Sequence, residues 1–177
     1  MIYWDYNQIK KSDEDTEKQE LLSKCRTAAI QYLALRTRST GQCQKKLAAD
    51  NFPKYIIDEV LQQLDIDGYL SDNEMAEFVI KSRRNSKAES HLALRRRMKN
   101  LGIKEDIIET YLQSNVSDKV LLAELFANKF SSLFQEYVDT EEPNEKYNLK
   151  VKLVRKANNR GFTDDFCINF LNQYANK

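Results

Sequence analysis

Apolar residues recur with a helical period at three places along the chain, and all three share one pattern. Each begins with an apolar residue that follows Gly or Asn. Apolar pairs then come four and five residues later, and again eight and nine residues later. This spacing puts the apolar side chains on one face of an α-helix, and the Gly or Asn is typical of the left-handed residue that ends the preceding helix. The three segments are residues 51–61, 102–112 and 161–171.

Two more helices are predicted before each of these segments. The first, longer ones cover residues 21–36, 71–84 and 118–134, and the second ones cover residues 41–50, 88–101 and 145–159. Ser39 or Thr40 is the expected N-cap of the helix at 41–50. A single three-helix unit of this size buries little apolar surface, so we expect neighbouring units to stack. The pattern predicts an all-α fold, an elongated array of three tandem three-helix repeats.

The predicted boundaries place the repeats at residues 21–70, 71–113 and 114–177. Residues 135–144 are acidic, and we expect them to form a solvated loop inserted into the third repeat. Residues 1–20 form a variable acidic N-terminal segment, loosely ordered to about residue 15, in which Tyr3, Trp4 and Tyr6 could dock on the body. Gly (4 residues) and Pro (2 residues) are scarce, which also favours helices joined by short loops.

The sequence offers little that could support catalysis. His91 is the single histidine, and we expect it to be a partly exposed surface residue. Cys25, Cys43 and Cys167 are widely spaced, without disulfide or zinc spacing, and are expected to be small core residues. The acidic pairs at 105–106 and 164–165 lie in predicted first turns, where they complement the helix dipole. We therefore predict a binding protein that is not an enzyme and uses no metal or cofactor. The absence of a signal peptide or an apolar span predicts a cytoplasmic location without membrane contact.

Charge is segregated along the chain although the net charge is only +1. Residues 81–104 hold nine Lys or Arg and one acid, and residues 146–160 hold six Lys or Arg and no acid. Such a cluster should repel itself unless an anionic partner relieves it. A solubilising role is the alternative for both stretches. The residues predicted to bind a partner or DNA are Lys81, Arg83, Arg84, Lys87, Arg95, Arg96, Arg97, Lys99, Lys150, Lys152, Arg155 and Lys156.

An ordered set of motifs covers about residues 25–175. The most specific is Gly-Tyr-Leu-Ser-Asp at 68–72, with Phe-Val-Ile-Lys-Ser-Arg at 78–83. The others are Ala-Ile-Gln-Tyr-Leu-Ala-Leu-Arg-Thr-Arg-Ser at 29–39, Lys-Lys-Leu at 45–47, Leu-Arg-Arg-Arg-Met at 94–98, Leu-Gly-Ile at 101–103, Lys-Val-Lys-Leu-Val-Arg at 150–155 and Arg-Gly-Phe at 160–162. In this order the motifs resemble the RecX family, bacterial regulators of the RecA recombinase.

The resemblance implies a non-enzymatic protein that binds the RecA filament on single-stranded DNA, in its helical groove. It implies inhibition of ATP hydrolysis, strand exchange and co-protease activity, and direct contact with single-stranded or also duplex DNA. The chain departs from the family at 85–88, where Asn-Ser-Lys-Ala replaces a frequent Lys-Gly-x-Gly. It departs again at 93–98, where an acid is lost and the helix becomes more basic. Two alternatives stay open, a stand-alone helical DNA-binding regulator and a repeat adaptor for another protein. We expect a monomer.

Overall fold

The computed structural model describes the backbone of residues 6–175 and the side chains of residues 15–174. Every regular element in this part of the chain is helical, which confirms the all-α class. The helices are α1 (Tyr6–Ala34), α2 (Thr40–Ala49), α3 (Lys54–Ile66), α4 (Asp72–Ser82), α5 (His91–Asn100), α6 (Glu105–Ser114), α7 (Asp118–Lys129), α8 (Ser131–Asp139), α9 (Pro143–Asn158) and α10 (Asp164–Ala175), with a 3₁₀ turn at Asn85–Lys87.

The residues predicted to end helices do adopt the left-handed conformation. Asn51 has a φ of 65°, Gly102 of 77° and Gly161 of 85°. Ser39 is the N-cap of α2 and forms a capping box with Gln42, as predicted. The helical repeat is therefore read correctly from the three anchor segments, because the residue type at each stop matches the backbone conformation that the stop requires.

Packing divides the chain into two compact units. The first unit holds the residues up to Met75 together with the turn Leu101–Ile103, and the second holds Ala76–Asn100 and the residues from Lys104 onward. The predicted boundaries at 70/71 and 113/114 stay predictions.

In the first unit, α1, α2 and α3 enclose a core with fully buried Cys25, Cys43 and Leu47. Its helix α1 begins at Tyr6, well before the predicted start. Lys18 of this extension pairs with Glu59 at 2.8 Å. The extension lacks an apolar stripe but is rich in helix-forming Glu, Lys and Gln. The proposed docking of Tyr3, Trp4 and Tyr6 lies outside the described side chains.

A close backbone approach also lies within the first unit. A Cβ atom on Gly41 would stand 2.6 Å from the Cα of Gly102, so both positions need glycine for space. The buried Ser39 hydroxyl donates a hydrogen bond to the Leu101 carbonyl. The Thr40 N–H donates to the Asp72 carboxylate at 2.8 Å. The start of α2 is therefore stabilised by contacts with residues that come much later in the sequence.

The second unit differs from the prediction around the acidic insertion. The expected single helix at 118–134 is broken at Phe130, and α8 continues to Asp139 where a solvated loop was predicted. Tyr137 is buried, and its hydroxyl donates to the Leu171 carbonyl at 3.2 Å. The rings of Phe126 and Phe134 stack with centroids 5.3 Å apart. The loop prediction is wrong because α8 has an apolar face that packs on the core, although acids surround it in the sequence.

Candidate polyanion-binding surface

The arginines of α5 are paired within the chain. Arg95 donates to Glu105 and Glu109, both carried by α6. Lys99 Nζ lies 3.0 Å from Glu105 Oε2. The hydrogen bond to Glu109, assisted by that to Glu105, raises the pKa of Arg95, and the hydrogen bonds from Lys99 and Arg95 lower the pKa of Glu105. The first two turns of α6 thus neutralise one side of α5.

Glu89 gathers three more arginines. Its side chain is buried, with a relative exposure of 6% for the residue. Arg97 binds it through two hydrogen bonds of 3.1 and 2.8 Å, and guanidinium nitrogens of Arg83 and Arg160 lie 3.7 and 3.9 Å away. The adjacent Ser90 N–H donates to the Arg160 carbonyl at 3.0 Å. Glu89 therefore ties the start of α5 to the turn between α9 and α10.

Arg84 is paired as well. It donates two hydrogen bonds to Glu124 of α7, which also accepts the Asn85 backbone N–H at 2.9 Å. The hydrogen bond from Arg84 lowers the pKa of Glu124, with a smaller contribution from the Asn85 N–H. Lys81 pairs with Glu77 along α4.

Three of the nine cations at 81–104 have no ion pair among the described residues, namely Lys87, Arg96 and Lys104. The expectation that an external anion must relieve this cluster is wrong, because carboxylates of the chain already relieve it. Partner binding by these residues stays a prediction.

The exposed face of α9 has the opposite character. Lys152, Arg155 and Lys156 are exposed, and none has a carboxylate partner within the described part of the chain. Lys150 donates to the Asn172 side-chain oxygen at 2.6 Å. Lys156 also lies over the Phe130 ring at 5.0 Å. Residues 146–160 hold fewer cations than residues 81–104, but among the described residues only Arg160 of this stretch lies within ion-pair distance of a carboxylate.

Apolar side chains lie among these cations. Tyr147 is 66% exposed, and Val151 and Ile168 are also exposed. With Lys150 and Arg155 they line a groove of about 380 Å³ between α9 and α10, which Val154, Asn158 and Asp164 complete. A second hollow on the other side of α9 is lined by Asn148, Val151, Lys152, Arg155, Lys156 and Asn159. Sequence reasoning missed Tyr147 and Ile168, although an aromatic residue at the start of a basic helix is a readable signal.

The remaining candidates have structural roles. His91 is partly buried, and its Nε2 lies 2.9 Å from the Val116 carbonyl oxygen. All three cysteines are buried and free. Burial raises the pKa of the Cys43 thiol to about 11 and that of Cys167 to about 12. Among residues 15–174 no cluster of His, Cys, Asp and Glu could hold a metal ion, and no described helix is long and apolar enough to cross a membrane.

Comparison with known proteins identifies the fold and shows a similarity to RecX proteins. A model of the first three-helix domain of RecX matches residues 25–64. Regulatory protein RecX of Prosthecochloris aestuarii is 32% identical over 102 residues, which cover 58% of this chain and 64% of that protein. Regulatory protein RecX of Bacillus pumilus is 24% identical over 161 residues, which cover 89% of this chain and 60% of that protein. The chain thus spans less than two thirds of the length of these relatives.

Two crystal structures share the fold. RecX from Lactobacillus salivarius superimposes with a TM-score of 0.70 at 19% identity, over 88% of this chain and 97% of that one. Another regulatory protein RecX superimposes with a TM-score of 0.69 at 19% identity, over 97% of this chain and 79% of that one. With the ordered motifs, the matched first domain and the related sequences, the chain is similar to the regulatory proteins RecX and shares their fold.

Proposed function

We propose that this chain regulates RecA by binding the RecA filament on single-stranded DNA, and that it limits ATP hydrolysis, strand exchange and co-protease activity. It acts as a monomer in the bacterial cytoplasm and needs no cofactor. Similarity to RecX proteins supports the choice of partner. The observation that carries the proposal is the exposed face of α9, whose cations Lys152, Arg155 and Lys156 have no carboxylate partner among the described residues.

Electrostatics favours α9 over α5 as the face that meets the filament. A cation already bound to a carboxylate must break that pair before it can bind a phosphate, which offsets much of the gain. An unpaired surface cation gains the full contact and releases the counterions of the phosphate. Arg95 and Arg97 belong to the first kind, and Lys152 and Arg155 to the second. Arg96 is exposed and unpaired on α5 and is a secondary contact.

The test is the ATPase rate of RecA on single-stranded DNA with increasing amounts of this protein. Wild-type protein should slow hydrolysis, and the variant Lys152→Glu/Arg155→Glu should need at least about tenfold more protein for the same effect. Lys104→Glu/Lys119→Glu is the matched control, because both lysines are exposed, have no ion pair among the described residues, and give the same change in net charge. No slowing by wild type at several-fold excess over RecA would overturn the proposed function.

Arg96→Glu tests the contribution of α5 without touching its internal pairs. Reversing Arg95 or Arg97 instead would place a new carboxylate beside Glu109 or Glu89 and destabilise the second unit. We expect Arg96→Glu to weaken inhibition less than reversal on α9. A larger effect from Arg96→Glu than from reversal on α9 would show that α5 makes the main contact.

A further inference from the structure

The groove between α9 and α10 has a feature that charge alone leaves unexplained. Tyr147 exposes two thirds of its surface, and its ring has no aromatic or cationic partner among the described residues. Val151 lies one helical turn further along the same stripe, and Ile168 faces it from α10. An exposed aromatic ring next to unpaired cations is the composition of surfaces that stack nucleic-acid bases.

We propose that this groove binds single-stranded DNA, with a base stacked on Tyr147 and phosphates held by Lys150 and Arg155. Arg155 also lines the hollow on the other side of α9, where Lys152 can hold the next phosphate. The inference rests on the proposed function and names the part of the nucleoprotein filament that this site meets. The cations lie within one or two turns of Tyr147 along α9, so one short run of nucleotides can reach the ring and the charges together. Duplex DNA keeps its bases in the stack and cannot offer one to Tyr147 without unpairing.

The other polar groups of the groove fit this ligand better than they fit an acidic peptide. Within the groove Asn158 supplies an amide, and in the adjoining hollow Asn148 and Asn159 supply two more that can bind phosphate, sugar or base edges. The carboxylate of Asp164 lines one end of the groove, but it already accepts a hydrogen bond from Asn158. An acidic peptide would satisfy the cations and leave the flat Tyr147 ring without a planar partner.

The experiment measures fluorescence anisotropy of labelled oligothymidylate of about ten nucleotides, with the full-length protein and without RecA. A second probe of equal length lacks the bases but keeps the sugar-phosphate chain. Wild type should bind the thymidylate several-fold more tightly than the abasic strand. Tyr147→Ala should weaken thymidylate binding about 5- to 100-fold and leave the abasic affinity unchanged. Tyr147→Trp should restore it. Because Tyr147 is exposed, an unchanged thermal midpoint should show that Tyr147→Ala is folded.

Two outcomes would overturn the inference. Equal affinity of Tyr147→Ala and wild type for thymidylate would show that no base stacks on Tyr147. Competition by polyglutamate as strong as by unlabelled thymidylate, with the same dependence on Tyr147, would assign the groove to an acidic peptide. Neither result touches the proposed function, because the ATPase assay with Lys152→Glu/Arg155→Glu reads RecA regulation separately. No slowing of RecA ATP hydrolysis by wild-type protein, together with intact Tyr147-dependent binding, would overturn the proposed function alone.

Discussion

Glu89 offers the sharpest test of how the second unit is held together. Glu89→Gln keeps the size of the side chain but removes the charge that faces Arg97, Arg83 and Arg160. One amide oxygen can still accept a hydrogen bond, whereas the amide nitrogen is a donor and is set against the donors of a guanidinium. Three guanidinium groups then lie within 4 Å of a neutral group.

The expected loss of stability follows from these contacts. A hydrogen bond to a charged group contributes about 1.5 to 3 kcal/mol, and Arg97 forms two such bonds with Glu89. The Arg97 side chain is 39% exposed, so hydration of its guanidinium group reduces the destabilisation. We expect Glu89→Gln to reduce the free energy of unfolding by about 2 to 3 kcal/mol, which lowers the Tm by about 4 to 12 °C.

Urea unfolding and calorimetry of the full chain measure this loss. Glu109→Gln is the control, because it also removes a carboxylate that binds an arginine but is 41% exposed. It should cost less than about 1 kcal/mol. A double-mutant cycle of Glu89→Gln with Arg97→Gln should return a coupling of about 1 to 2 kcal/mol. A loss no larger than that of the control, or a coupling near zero, would refute the assignment of Glu89 as the centre of the cluster.

Three further predictions concern the glycine at 161, the pH dependence of stability through Glu124, and the reactivity of the buried thiols. Gly161→Ala should lower the free energy of unfolding by about 2 to 4 kcal/mol, because φ is +85° and the new methyl would lie 2.7 Å from two side-chain atoms. The control Gly68→Ala, with φ +76° and open space around it, should lower it by only about 1 to 2 kcal/mol. Thermal unfolding measures both. Glu124 has a lowered pKa, so its contribution is present above its usual value near 4.5 and is lost as pH falls through the lower folded value; unfolding at pH 7 and pH 3 should show a smaller acid loss for Glu124→Gln than for wild type. Cys43 and Cys167 should react with a thiol reagent at pH 8 only in denaturant, because their pKa values are about 11 and 12 and both are buried; fast reaction of the native protein would contradict this.

The sequence predicts the fold well where local rules act. The stops at Asn51, Gly102 and Gly161 and the cap at Ser39 depend on neighbours within a few residues. Helix α8 is missed although Leu133, Phe134, Tyr137 and Val138 recur at helical spacing, because the run of acids from Glu136 onward is given more weight than this pattern.

The site could be predicted only in part, for a different physical reason. The basic stretches are visible in the sequence, but most of the acids that pair with the cations at 81–104 lie outside that stretch. Arg95 pairs with residues ten and fourteen positions away, and Arg84 with one forty positions away. Charge counted in a sequence window therefore overestimates the cations that are free to bind. Among the described residues no carboxylate pairs with the cations of α9. The number of cations counted in this helix therefore equals the number without a carboxylate partner.

The close approach of Gly41 and Gly102 bears on how the protein is made. The ribosome synthesises the chain from the N-terminus to the C-terminus. The turn Leu101–Ile103, which completes the first unit, is therefore made after α1 to α4. Leu101 follows Ser39 by 62 residues, so at elongation rates of about 5 to 20 residues per second the delay is roughly 3 to 12 seconds. During that interval the start of α2 lacks the Leu101 carbonyl that its buried Ser39 needs. The segment 25–64, although it matches a domain model, should thus reach its final stability only when the middle of the chain has been translated.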